Sequence, residues 1–198
     1  DPDVDRFIMM FEGESRAIYK HRFDILNALA LEPGQDVADI GAGTGFFSLM
    51  FAEKVAPKGT VYAVDIAENF VDHIRDNARE HGIKNVKPVL CTERDAKLKK
   101  NSVDVVFICD TYHHFEYPFD TMASIHKALR PGGKLMIVDF ERVKGIQNDW
   151  TLDHVRCGKG TVTDEVKDSG FDFVEEISIM DEQYVIVFRK RDVALDGN

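Results

Sequence analysis

Three groups of residues in this 198-residue chain have the types and spacing to do chemistry. The first is Asp36-Val37-Ala38-Asp39-Ile40-Gly41-Ala42-Gly43-Thr44-Gly45-Phe46-Phe47, an apolar run that breaks into glycines at every second position. Such a turn reverses the backbone tightly and lets a nucleotide-sized ligand reach main-chain amides at the start of a helix. Asp65 ends the next apolar run, near the separation of about 20 residues at which a carboxylate receives ribose hydroxyls. The second group is Asp110, His113 and His114, just after the apolar segment 103–109. An imidazole there is suited to take a proton from a hydroxyl, thiol or protonated amine. Neighbours in an extended segment point oppositely, so one of the two histidines is expected to face a site, with His114 favoured. The third group is Asp139-Phe140-Glu141-Arg142 together with Trp150-Thr151-Leu152-Asp153-His154-Val155-Arg156, read as a long polar loop that shapes an acceptor pocket. His154 and Arg156 are its candidate substrate contacts, the guanidinium matching a carboxylate or phosphate.

The elements that must position these groups follow from apolar periodicity. Ile18, Ile25, Leu26 and Leu29 recur at helical spacing and predict a leading helix over 14–31, stopped by Glu32-Pro33-Gly34. Arg16 and Tyr19, three apart on one face of that helix, are placed to close over a site. Beyond it, strands 37–40, 60–65, 86–90, 103–109 and 134–139 alternate with helices 46–55, 68–81 and 118–129, which predicts a parallel sheet wound on both faces. Strands 171–179 and 183–188 are joined by only Met180-Asp181-Glu182, too short for a crossover, so the last strand must run antiparallel. One domain over 1–198 is expected, with its core at 35–190. In such a sheet ligands sit beyond the carboxyl ends of the strands, where all three groups fall.

Composition narrows the partners. Lys and Arg total 25 against 35 Asp and Glu, a formal charge of −10, and no basic stripe exists to track phosphates, so nucleic acid is not an expected partner. Cys91, Cys109 and Cys157 are odd in number and widely spaced, which argues against a disulfide framework and for a reducing, cytoplasmic setting. No apolar run approaches the ~20 residues of a membrane span. No metal is expected: His113, His114, Glu116, Asp139 and His154 fall on one side of the expected sheet, but no His or Cys pair has a recognised ligand spacing. Phe46 stands where a dinucleotide fingerprint needs its third glycine, which disfavours a nicotinamide-dependent oxidoreductase.

The glycine loop, Asp65, the run Cys109-Asp110-Thr111-Tyr112-His113-His114-Phe115 and the run Leu129-Arg130-Pro131-Gly132-Gly133-Lys134-Leu135 together resemble the class I methyltransferases that use S-adenosylmethionine (SAM), in particular the UbiE-like small-molecule group. The resemblance implies a three-layer α/β/α fold with a seven-stranded sheet of order 3-2-1-4-5-7-6, strand 7 antiparallel. It implies that Asp39 and Gly41, Ala42, Gly43 and Gly45 hold the methionine end of the cofactor, Asp65 the ribose and Ile66 one face of the adenine. Thr92 and Glu93 stand where the family's third loop meets the adenine, while the usual acid is displaced to Asp95. Asp110 is placed beside the sulfonium. The implied reaction is in-line methyl transfer to a small-molecule acceptor with His113 or His114 as base; a SAM-binding sensor without transfer activity is the alternative.

Overall fold

The computed structural model describes residues 2–11, 17–144 and 149–192. Seven strands form one sheet: β1 (Val37–Ile40), β2 (Val61–Asp65), β3 (Val86–Leu90), β4 (Val103–Cys109), β5 (Leu129–Phe140), β6 (Phe171–Glu176) and β7 (Gln183–Lys190), in the order β3-β2-β1-β4-β5-β7-β6. β1 to β5 pair in parallel, whereas β7 is antiparallel to both β5 and β6. The expected order and the antiparallel last strand are both present.

Strand periodicity divides the core. On β4, Val105 and Phe107 point to one layer while Val106 and Ile108 point to the other. The first layer is closed by α2 (Ala17–Lys20), α3 (Arg22–Leu29), α4 (Phe46–Val55) and α5 (Glu68–Glu80) through Ile25, Leu29, Phe51 and Ile74. The second is closed by α6 (Pro118–Ala128) and α8 (Lys159–Asp168) through Met122, Ile125, Val162 and Val166. Covering both faces is what near-continuous apolar strands such as Val103–Cys109 require. No helix among the described residues is long and apolar enough to cross a membrane.

At the amino end of the sheet, Arg130 explains part of the Leu-Arg-Pro-Gly-Gly sequence. Its guanidinium donates to Asp36 at 2.8 Å and Asp104 at 2.6 Å, while Asp36 accepts from the Thr60 amide at 3.0 Å. One side chain thus joins the entries to β1, β2, β4 and β5. The segment 130–133, expected as a turn ahead of the fifth strand, is instead absorbed into β5. Leu129 pairs with Val103 and Lys134 with Val105, so the intervening residues form an irregularity in a strand that starts at Leu129.

Other differences are local. The leading helix steps at His21 (φ −97°, ψ 12°) into α2 and α3, and ends at Ala30 in a left-handed conformation. Arg22 draws the Tyr19 carbonyl out of the helical ladder with a 2.6 Å hydrogen bond. An additional helix, α1 (Val4–Phe11), lays Phe7 edge-on against Phe70 of α5. Residues 149–154, expected as loop, form a short helix, α7 (Asp149–His154).

α8 is braced to the turn after β4 by Glu165. This carboxylate accepts both terminal nitrogens of Arg156 at 2.8 Å and the phenol of the fully buried Tyr112 at 3.0 Å. The Arg156 contact holds its pKa below the usual carboxylate range. Glu165→Ala removes both partners at once and is expected to cost about 1–3 kcal/mol in urea unfolding, with Glu165→Gln losing less because the amide still accepts from the phenol.

Candidate active site

The carboxyl ends of β1, β2, β4 and β5 lie on one edge of the sheet, and each carries an acid at or just beyond its end. On β1, the alternation that buries Val37 in the first layer sends Asp39 the same way, against α4, where Ser48 donates to it at 2.6 Å. Asp39 is 3% exposed, and burial pushes its carboxyl up to about 7, opposed by the Ser48 hydrogen bond and aided by the nearby charge of Asp65. The chain then enters the glycine turn. Gly41 has φ +72°, and a Cβ there would stand 2.3 Å from the Thr111 side chain, so glycine is required by the approach of the chain after β4 rather than by a ligand alone. Gly45 (φ +82°) packs its bare Cα against Ile74 of α5.

Asp65 locks that turn. One carboxylate oxygen accepts from the Gly43 amide at 2.8 Å and the other from the Ala67 amide at 2.9 Å at the start of α5. Desolvation raises its pKa in spite of those bonds. Next to it Ile66 is 55% exposed, and Leu90, at the end of β3, is 48% exposed. Leu90 stands opposite Asp65 in the β2–β3 register, so a large exposed apolar side chain lies on either side of the carboxylate. Thr92 and Glu93 are exposed on the loop after β3, and Asp95 turns back to Lys97, accepting from its amide at 2.7 Å and its ammonium at 3.2 Å.

A cavity opens between these parts, lined by Ile18, Asp39, Gly43, Phe46, Asp110 and Thr111 among others. Asp110 adopts φ +46°, a left-handed conformation that costs a non-glycine residue of the order of 1 kcal/mol and that clusters at functional sites. Its Oδ1 accepts a 3.3 Å hydrogen bond from Gln183 Nε2, and Gln183 Oε1 is buried without a partner. From the leading helices it is Ile18 that lines the cavity, while Tyr19 stacks on Phe46 at 5.7 Å and under Arg22. Arg16 lies outside the described residues.

Beyond Asp110 and Thr111 the chain forms a single 3-10 turn, Tyr112–His114, rather than an extended segment. That corrects the expectation that His113 and His114 point oppositely: their rings lie 4.0 Å apart, and both meet His154 of α7, at 5.1 and 4.9 Å. His113 is buried, its amide donating to Asp139 at 3.0 Å and its Nδ1 standing 2.7 Å from the same carboxylate. Burial, with His113 and His154 beside it, pushes His114 down to about 4. Burial lowers His154 as well. Trp150 stacks on His154 at 4.6 Å. Arg156, expected to meet a substrate anion, is held by Glu165 instead.

Sequence reasoning missed Ser48, Thr111, Leu90 and Gln183, and named Asp139 without its partner. Ser48 sits nine residues after Asp39 on the buried face of α4, a signal available only once the strand faces are assigned. Gln183 carried a clue, as a polar residue opening an otherwise apolar strand.

Residues 31–178 match a family model described as a methyltransferase domain. A ubiquinone/menaquinone biosynthesis C-methyltransferase UbiE from Cupriavidus taiwanensis is 32% identical over 135 residues, 68% of this chain and 54% of that protein. The chain spans about half the length of these curated relatives. Among solved structures, a SAM-dependent methyltransferase from Aquifex aeolicus superposes with TM-score 0.83 at 23% identity, covering 96% of this chain and 99% of that one. A phosphoethanolamine N-methyltransferase 2 from Haemonchus contortus, solved with SAM, gives TM-score 0.73 at 18% identity over 88% of this chain and 53% of that one.

The raised pKa of Asp39 makes stability depend on pH. The native state binds this proton more tightly than the unfolded chain, whose carboxyl has the ordinary value of 3.8, so the contribution is present below about 4 and is lost as pH rises through about 7. Urea unfolding of unliganded wild type and Asp39→Asn is expected to diverge in favour of the variant from about pH 5 to pH 8, by roughly 4 kcal/mol at most.

Proposed function

The chain belongs to the class I SAM-dependent methyltransferase family, and from that premise we propose that it moves a methyl group from SAM to a small-molecule acceptor held against the histidine cluster. What carries this reading is continuity: the cavity beside Asp39 and Gly43 is lined by Asp110 and Thr111, and the turn that follows them presents His113 and His114. Donor and acceptor sides are therefore parts of one short piece of chain.

The residues fit the cofactor. A buried carboxyl with a pKa near 7 prefers its charged form once a cation reaches it, so Asp39 suits the ammonium of the methionine end, with Ser48 holding it in place. The glycines of the Gly41–Gly45 turn keep the cavity wall beside that end clear of side chains. Asp65 still has acceptor capacity for ribose hydroxyls after binding two amides. Ile66 and Leu90 offer an apolar shelf for adenine, and Thr92 and Glu93 are close by in sequence for its polar edge. When bound, SAM supplies a methyl group made electrophilic by the sulfonium.

This chain's residues then have to align and exclude water, since positive charge disperses as the methyl moves. Asp110, fixed in its left-handed conformation and hydrogen-bonded by Gln183, is assigned to the sulfonium side. His114, His113 and His154 receive the nucleophilic end of the acceptor, and any proton that end carries leaves through this cluster. The UbiE relatives, named as C-methyltransferases of quinone biosynthesis, support a small molecule as the acceptor class.

Calorimetry with SAM or its demethylated product tests the donor side, and demethylated-product release over a panel of small acceptors tests transfer. Asp65→Ala is expected to weaken cofactor binding about tenfold or more, the value of losing one charge-assisted pair. His114→Ala is expected to leave cofactor affinity unchanged and to slow turnover about 100-fold. Undiminished turnover in the histidine variant would remove His114 from the site, and a nicotinamide dinucleotide released from the purified protein would overturn the donor assignment.

A further inference from the structure

His113, His114 and His154 each place one ring nitrogen so that all three lie within 4.8 Å of one another. Packing alone explains a pair of stacked rings, and Trp150 on His154 is such a pair. Here three imidazoles converge from two separate elements, the turn after β4 and α7, and each offers one nitrogen donor to the same small space. We propose that this cluster is a binding site for a single divalent metal ion of the zinc class, with the three histidines as ligands and a fourth position open.

The chemistry of the donor set supports this class. Imidazole suits zinc and its neighbours rather than magnesium or calcium, which take oxygen ligands. Three protein nitrogens with one open position is the pattern of catalytic rather than structural zinc sites. Zinc–nitrogen bonds of about 2.0–2.1 Å in a tetrahedron hold nitrogens about 3.3 Å apart, so the cluster has to close by at most about 1.5 Å. His114 and His154 are more exposed than His113, which is buried and fixed. Asp139 does the fixing: with Nδ1 held at 2.7 Å by the carboxylate, Nε2 is the nitrogen His113 has left to offer. A carboxylate behind a ligating histidine orients the ring and strengthens it as a donor, which makes Asp139 a positioning residue. The spacing of the histidines hid this site, because His154 arrives through α7 and the turn after β4 brings His113 and His114 to the same side.

On the methyl-transfer reading, the open position takes the acceptor's oxygen, nitrogen or sulfur, and the metal lowers its proton affinity, the proton passing to solvent. That step rests on the function proposed above; metal binding itself does not.

The test uses the full chain with any histidine tag removed, stripped with a chelator and titrated with zinc by calorimetry and with cobalt(II) by visible absorption. One ion per chain and a tetrahedral cobalt spectrum are expected. His154→Ala and His114→Ala should each weaken zinc binding more than about 100-fold, and Asp139→Asn by about 10–100-fold. His154→Ala, on an exposed helix, should keep wild-type circular dichroism and wild-type SAM affinity, so that loss of metal is separated from loss of fold and from failure of the methyltransferase reading. Absence of stoichiometric binding, or zinc affinity unchanged in both folded histidine variants, overturns the site.

Discussion

Three buried carboxylates, Asp39, Asp65 and Asp139, organise everything else at the working edge of this protein. A carboxylate removed from water has to find donors close at hand or give up its charge. Asp65 takes the amides of Gly43 and Ala67, and so sets both the glycine turn and the start of α5. Asp139 takes the amide and ring of His113 and the amide of Phe140, and so sets the turn after β4 and the exit from β5. Asp39 accepts from the Ser48 hydroxyl at the start of α4, and burial raises its carboxyl to about 7. Each of the three therefore ties the end of a strand to the segment that follows or packs on it. The sheet supplies the common geometry: parallel strands end on one edge, so acids at strand ends become neighbours without being neighbours in sequence.

The same logic explains which parts were legible in the sequence. β1, β3, β4 and α4 match their expected limits because apolar runs and glycine or proline stops are local signals. The antiparallel β7 follows from loop length alone. The seams where a distant partner overrides local pattern were not legible. Segment 130–133 reads as a turn, yet Arg130 is tied to Asp36 and Asp104 and the strand runs through it. His113 and His114 read as opposed neighbours of an extended segment, yet Asp139 captures both polar groups of His113 and curls the chain. Arg156 reads as an anion receptor, yet Glu165, nine residues on along α8, claims both its terminal nitrogens. In each case the deciding atom belongs to another element.

Electrostatics then separate the two sides of the site. The donor side is acidic, with Asp39, Asp65 and Asp110 around the glycine turn, which suits a cationic cofactor and agrees with the overall charge of −10. The side proposed for the acceptor is made of imidazoles, with aromatic rings behind them: Phe140 packs edge-on to Trp150 and His113. The boundary between them is two residues wide, Asp110 and Thr111, and Asp110 there holds a left-handed conformation. Thr111 fills the space that a side chain on Gly41 would need, so the donor turn and the acceptor turn cannot shift independently.

That interlock bears on how the site achieves alignment. Methyl transfer along one line tolerates little error, and an error of about 1 Å can cost about 100-fold in rate. On the proposed reading, the line from sulfonium to acceptor crosses residues whose positions are fixed from three directions: Gly41 against Thr111 from β1, Gln183 on Asp110 from β7, and Asp139 on His113 from β5. Helix α7, which brings His154, is tied in by Arg142, which donates to the Leu152 carbonyl at 2.8 Å, and by Trp150, which packs edge-on to Phe140 and stacks on His154. On the proposed reading, His113 is then fixed from the sheet by Asp139 and His154 from the segment after β5, so both walls of the acceptor pocket are set by the exit from one strand.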